Sequence, residues 1–210
     1  MIRIGNELIF PPTSLSDATG LLCYGGDLSI PRLLLAYRSG IFPWYSEGEP
    51  ILWYSPNPRF VLFPYEIRIS KSMRQVIRRG RFEFRMNTQF ASVIRHCKEV
   101  DRHGQCGTWI NEDMVSAYCE LHTHGHAISA ECYEQGELVG GLYGILGERV
   151  FFGESMFSLV PNASKFAFIH LVEHYAKKGI ELIDCQMHTA HLESLGGRNI
   201  DRKQFESYLT

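Results

Sequence analysis

Residues 138–157 constrain this chain of 210 residues more than any other stretch. Leu138-Val139-Gly140-Gly141-Leu142-Tyr143-Gly144-Ile145 and Val150-Phe151-Phe152-Gly153-Glu154-Ser155-Met156-Phe157 are apolar, aromatic arms around Leu146-Gly147-Glu148-Arg149. That pattern is a β-hairpin. Its glycines (Gly140, Gly141, Gly144, Gly153) give up side-chain packing, which marks bulges or a close approach to the backbone. Glu154 then breaks an apolar run, and a carboxylate there faces solvent, a partner or a cavity. Two readings follow: an ordinary core hairpin with Glu154 in water, or one wall of a ligand cleft.

The flanking sequence predicts helices and strands in turn. Ser29 can cap a helix with Pro31 in its first turn, Leu33-Leu34-Leu35-Ala36-Tyr37 on its apolar face and Gly40 at its end. Pro11-Pro12, Gly25-Gly26, Pro43, Pro56 and Pro58 make the surrounding sequence rich in turns. Trp44, Tyr45, Trp53 and Tyr54 form either the aromatic core of an N-terminal lobe or a platform on which a base stacks. Beyond Arg59 the patterns give a strand at 60–63 and a basic helix capped by Ser70, ending near Gly80. A strand at 81–86, a helix opened by Thr88, a helix capped by Asn111 and a strand at 127–133 lead into the hairpin. A helix at 162–178, a strand at 181–186 and a helix capped by Asp201 follow. Helices around an antiparallel hairpin predict an α+β fold with a mixed sheet.

Charge is unevenly spread. The formal net charge is −2, yet residues 59–102 carry eleven Arg and Lys against four acids, a local excess of seven positive charges. Such a block attracts phosphate or forms a solvated helix face. The six cysteines, Cys23, Cys97, Cys106, Cys119, Cys132 and Cys185, include no Cys-x-x-Cys pair. Free thiols in a reducing compartment fit this better than disulfides or a Cys-ligated zinc site. With no apolar run of signal-peptide or membrane-spanning length, the expected location is the cytoplasm, without membrane association.

Three short patterns bear on chemistry. His170-Leu171-Val172-Glu173-His174 matches the H-x-x-E-H arrangement of a zinc peptidase, but Leu171, Val172 and Tyr175 also read as the core face of that helix. Gly153-Glu154-Ser155-Met156-Phe157 lacks the second glycine of a nucleophile elbow. Asp184 and Gln186 share a strand face by alternation, so the carboxylate can orient the neighbouring amide. A non-catalytic RNA-binding module built on the basic block and the tryptophans is a third class of function.

Eight segments then occur in order: Gly25-Gly26-Asp27-Leu28-Ser29, Gly40-Ile41-Phe42-Pro43-Trp44, Ile51-Leu52-Trp53-Tyr54-Ser55-Pro56-Asn57-Pro58-Arg59, Gly107-Thr108-Trp109-Ile110, Leu138-Val139-Gly140-Gly141-Leu142-Tyr143-Gly144, Phe152-Gly153-Glu154-Ser155-Met156-Phe157-Ser158, Asn162-Ala163-Ser164-Lys165 and Leu182-Ile183-Asp184-Cys185-Gln186-Met187. Together they resemble the leucyl/phenylalanyl-tRNA–protein transferase family over nearly the whole chain. The resemblance implies a small N-terminal α/β lobe, residues 1–59, and a GNAT-like acyltransferase domain with a mixed sheet, residues 60–210. It implies transfer of Leu or Phe, and less readily Met, from aminoacyl-tRNA to the α-amine of proteins that begin with Arg or Lys. Such proteins are thereby marked for N-end-rule degradation. The implied partners are Leu-tRNA, Phe-tRNA and those acceptor proteins, with no DNA, and the implied enzyme is a monomer.

The resemblance also assigns residues. Asp184, Gln186 and Glu154 are the expected catalytic group: Asp184 accepts from the Gln186 amide nitrogen, the Gln186 oxygen receives the acceptor's α-amine, and Glu154 supplies negative charge. Leu142, Phe151, Phe168, Leu171, Tyr175 and Ile183 are expected to line the aminoacyl side-chain pocket, admitting Leu, Phe and Met but not β-branched Ile or Val. Trp44 and Trp109 are expected to hold the 3′-adenosine, and Arg74, Arg78 and Arg79 the tRNA phosphates. GNAT enzymes that use acetyl-CoA cradle its pyrophosphate on a glycine-rich turn at a helix start. Here Ser158-Leu159-Val160-Pro161-Asn162-Ala163 has no glycine and holds a proline, so CoA is not the expected donor. An activated ester needs no cofactor, ATP or metal, only positioning and an unprotonated amine.

Overall fold

Short apolar runs separated by proline and glycine pair first into a small sheet. In the computed structural model, which describes residues 1–100 and 109–209, these are β1 (Ile2–Ile4), β2 (Leu21–Gly25), then α1 (Ile30–Arg38), β3 (Phe42–Pro43) and β4 (Leu52–Tyr54). Their spatial order is β1-β2-β4-β3. Next come β5 (Arg59–Leu62), α2 (Lys71–Arg78), β6 (Glu83–Met86), α3 (Phe90–Glu99) and α4 (Glu112–Thr123). The chain continues through β7 (Ala127–Glu134), β8 (Glu137–Leu146), β9 (Val150–Ser158), α5 (Ala163–Ala176) and β10 (Leu182–Asp184). It closes with α6 (Ala190–Ser194), β11 (Arg198–Ile200) and α7 (Arg202–Glu206). The second sheet has the order β11-β5-β10-β9-β8-β7-β6. Only its β9–β10 pair is parallel, so the sheet is mixed as expected for a GNAT-like domain.

Alternation along the strands gives the large sheet two apolar faces. On one, Ile128, Ala130, Leu142 and Ile183 pack against Phe166, Ala167, Leu171 and Val172 of α5. On the other, Tyr143, Ile145, Phe152 and Phe157 meet Val93 and Ile94 of α3, Val115 and Tyr118 of α4, and Leu33 and Tyr37 of α1. Each such Leu, Ile, Val or Phe contributes about 1.5–3 kcal/mol over leaving it in water. The second core is shared by both sheets, which ties α1 to the back of β9.

Ser70, Asn111 and Asp201 cap their helices, each accepting a backbone N–H. Two expected caps differ. Ser29 makes no side-chain cap; its N–H instead donates to Asp27 Oδ1 at 2.9 Å. Thr88 lies before α3, and the buried Glu131 carboxylate from β7 takes the N–H groups of Thr88 and Gln89 at 3.1 and 3.3 Å. A neighbouring strand thus supplies the anion that the helix start favours. β1 to β4, α6 and β11 are elements the sequence pattern did not reveal. Cys106, Asp101, Arg102 and the Gly107-Thr108 part of the fourth segment lie outside the described residues. Among the described residues no helix is long and apolar enough to cross a membrane.

Candidate active site

The hairpin glycines have two physical jobs. A methyl at Gly144 would sit 2.1 Å from the Phe152 carbonyl oxygen, and one at Gly140 2.5 Å from the Ala163 Cβ at the start of α5. Only hydrogen fits at either place. Gly144 faces a bulge: Tyr143 lies opposite Ser155 and Gly144 opposite Gly153, leaving Glu154 as the extra residue on β9. A bulge re-aims its side chain and bends its strand. β9 pairs with β10 only from Val150 to Phe152, after which β10 stops at Asp184 while β9 runs on to Ser158. The opening between the strands is a cavity of about 490 Å³.

Its walls combine three kinds of surface. Leu142, Phe168 and Ile183 are apolar, Trp44 and Trp109 are aromatic, and Glu154, Asp184 and Gln186 are polar. Trp44 also meets Tyr54 edge-on at 5.4 Å, whereas Trp53 is wholly buried, packs against Phe10 and donates to the Gly25 carbonyl at 2.9 Å. Of the two tryptophans in the aromatic stretch, Trp53 is therefore core and Trp44 lines the cavity.

Asp184 is fully buried and gripped by Arg59 from β5, which is 1% exposed. Arg59 Nε and Nη2 donate to its two oxygens at 2.8 and 2.7 Å, a bidentate pair. The guanidinium lies between the rings of Phe42 and Phe205, 4.8 and 4.6 Å from their centroids. Asp184 Oδ1 also accepts the backbone N–H of Gln186 at 2.9 Å. Gln186 has a φ of 61°, the left-handed region that a non-glycine residue adopts only when its surroundings hold it there.

Glu154 is 8% exposed and has different company. The Tyr37 hydroxyl from α1 lies 2.8 Å from Oε1, and the Tyr118 hydroxyl from α4 lies 3.1 Å from Oε2. The two hydroxyls are also hydrogen-bonded to each other. Gln186 Nε2 donates to Oε1 at 2.9 Å. Burial pushes the Glu154 carboxyl up to about 7, against the lowering effect of its hydrogen bonds. Burial likewise raises both phenols well above their ordinary value.

Most expected site residues converge, with corrections in detail. Glu154, not Asp184, binds the Gln186 side-chain nitrogen, because the left-handed turn at Gln186 ends the alternation that put the two on one face. Phe151, Leu171 and Tyr175 do not line the cavity; they are buried behind it, with the Phe151 and Tyr175 rings stacked at 6.4 Å. Arg74 and Arg78 are exposed on α2 and Arg79 is exposed at its C-cap, and among the described residues no carboxylate pairs with them. Their neighbours Arg81, Arg85, Arg95 and Lys98 do form ion pairs. His170 contacts the rings of Phe166 and Phe84, and burial lowers its basicity. Among the described residues no three His, Cys, Asp or Glu side chains gather as a metal site would need.

Arg59, Tyr37 and Tyr118 are site-building residues that sequence reasoning passed over. The available signals were a cation opening the apolar run Phe60-Val61-Leu62-Phe63 and phenols on the core faces of two helices, each demanding a buried partner.

Comparison with known proteins extends this picture to the whole chain. Residues 61–210 match the family model of leucyl/phenylalanyl-tRNA protein transferase, and residues 26–57 that of its N-terminal domain. A leucyl/phenylalanyl-tRNA–protein transferase of Syntrophobacter fumaroxidans is 54% identical over 209 residues, spanning 100% of this chain and 89% of the relative. One from Flavobacterium johnsoniae is 53% identical, spanning 100% of this chain and 99% of the relative. An aminoglycoside acetyltransferase from an uncultured soil sample aligns in structure at 14% identity with a TM-score of 0.41, over 56% of this chain and 84% of that one. The chain belongs to the leucyl/phenylalanyl-tRNA–protein transferases, a family of aminoacyltransferases.

Proposed function

We propose that this enzyme transfers Leu or Phe, and less readily Met, from aminoacyl-tRNA to the α-amine of acceptors beginning with Arg or Lys. The product would enter N-end-rule degradation in the cytoplasm, with the enzyme acting as a monomer. The observation that carries this reading is the fixed Gln186 amide. With Nε2 given to Glu154 and the backbone held by Asp184, the side-chain oxygen is, among the described residues, the atom left for a ligand in the cavity. An amide oxygen is a weak base but a good hydrogen-bond acceptor. Its task is to align an amine for attack on an ester that is already activated.

Arg59 and Asp184 act through Gln186 as positioning residues. Leu142, Phe168 and Ile183 form the mouth of the side-chain pocket, and Phe151, Leu171 and Tyr175 set its depth from behind. Trp44 and Trp109 hold the terminal adenosine. Arg74, Arg78 and Arg79 meet phosphates of the acceptor stem. The division between lobes falls at residues 59 and 60, so that β5, with Arg59 at its start, links them.

The test is transfer of labelled Leu from Leu-tRNA to a peptide with N-terminal Arg, with and without a chelator. Transfer that survives chelation, with Ile-tRNA a poor donor, is expected. No transfer, or equal use of Ile and Leu, would overturn the reading.

A further inference from the structure

The Glu154 corner poses a question of proton count. Three oxygen-bearing groups, Tyr37, Tyr118 and Glu154, make three mutual hydrogen bonds. Each bond needs a proton between its oxygens. A phenol carries one proton and an ionised carboxylate none. With Glu154 ionised, two protons serve three bonds, and two phenol oxygens face each other unbridged if both protons point to the carboxylate. With Glu154 protonated, three protons serve three bonds. The ring then closes in one sense: Glu154 Oε2–H to Tyr118, Tyr118 O–H to Tyr37, and Tyr37 O–H to Glu154 Oε1. Oε1 remains a carbonyl oxygen and still accepts from Gln186 Nε2 at 2.9 Å.

We propose that Tyr37, Tyr118 and Glu154 form a closed ring that holds one exchangeable proton, with Glu154 neutral in the free enzyme, and that both tyrosines are positioning residues for Gln186. The charge environment agrees. Asp184 lies near enough to oppose ionisation of Glu154, and its own partner Arg59 is committed to it by two hydrogen bonds. Tyr143 of β8 packs edge-on against Tyr118 at 5.6 Å and brings no cation, and Phe152 packs against Tyr37. Burial places the carboxyl's titration at about 7, so the ring opens as pH rises through neutrality. The expected role of Glu154 as a source of negative charge is thereby replaced by that of a proton holder. The ring itself stands on hydrogen-bond geometry; its link to turnover rests on the proposed aminoacyl transfer.

Infrared difference spectra of the wild-type chain minus Glu154→Gln, titrated from mildly acidic to mildly alkaline solution, test the ring without any activity. A carboxylic-acid carbonyl band is expected in acid and should disappear through neutrality. It should shift in Tyr37→Phe and in Tyr118→Phe, which each remove one link. If Glu154→Gln does not fold, the carboxyl-carbon NMR shift of glutamate-labelled wild type reports the same titration. A carboxylate signal across the whole range would overturn the proposal, whether or not the enzyme transfers Leu. In the transfer assay, each Phe variant should lose about tenfold in kcat, the size of one hydrogen bond's alignment, with little change in donor KM. Phe variants with unchanged band, kcat and pH profile would remove the tyrosines' positioning role.

Discussion

The two walls of the cleft each present a buried carboxylate, held in opposite ways. At the end of β10, Asp184 is paired with a cation, bidentate, inside an aromatic sandwich. At the β9 bulge, the donors that Glu154 meets among the described residues, Tyr37, Tyr118 and Gln186, are all neutral. The first arrangement fixes a charge by pairing it; the second lets burial lift the carboxyl until it keeps its proton. Both converge on Gln186, one through its backbone and the other through its side chain. The difference teaches that identical chemical groups on adjoining strands take different roles from their neighbours alone.

The largest expected effect breaks the charged wall. Arg59→Met leaves Asp184 buried without its partner and should cost about 3–5 kcal/mol in urea denaturation. The double variant Arg59→Met with Asp184→Leu should recover much of that loss. A single-variant cost near zero would show that Asp184 does not depend on the pair.

The neutral wall is read by pH. Because folding raises the Glu154 carboxyl from the ordinary 4.5 to about 7, the folded state holds a proton that the unfolded state has released. Its contribution to stability therefore declines as pH climbs from 4.5 to about 7 and is flat above, by at most about 3 kcal/mol. Glu154→Gln should flatten that part of the stability–pH curve. A slope unchanged in the variant would assign it to another group.

The bulge that separates the walls can be stressed directly. Gly144→Ala places a methyl against the Phe152 carbonyl and should cost about 1–3 kcal/mol while also slowing transfer. The same stability with the same rate would mean that the bulge does not aim Glu154. The smallest effect on stability lies outside the cleft. Neutralising Arg74, Arg78 and Arg79 should change it by less than about 0.5 kcal/mol. It should nevertheless weaken tRNA binding and make its salt dependence shallower. Equal weakening of a minimal aminoacyl-adenosine analogue would move those arginines into the site itself.

Much of this organisation was legible in the chain. Glycines in an apolar hairpin forecast the bulge or close approach that Gly144 and Gly140 provide, and a carboxylate amid apolar residues left a cleft wall at Glu154 as one of two readings. What stayed hidden was partner choice. Strand alternation placed Asp184 beside Gln186, but the left-handed turn that redirects the amide follows from hydrogen bonds to β5 and Asp184, which a local pattern does not encode. Tyr37 and Tyr118 read as core because they are core, and only the fold brings their hydroxyls together. Phe151, Leu171 and Tyr175 have the same apolar signature as the residues in front of them, and depth below a cavity leaves no mark on periodicity. The strands of the small sheet were too short, and too broken by proline, to stand out.

The most direct test of a cleft that works by aligning the amine is a single-turnover measurement on Gln186→Ala with pre-bound Leu-tRNA and a saturating Arg peptide. The expected result is a transfer rate reduced by about a hundredfold, two hydrogen-bond equivalents of alignment, with Leu-tRNA affinity unchanged. A variant that transfers Leu at the wild-type rate would contradict it.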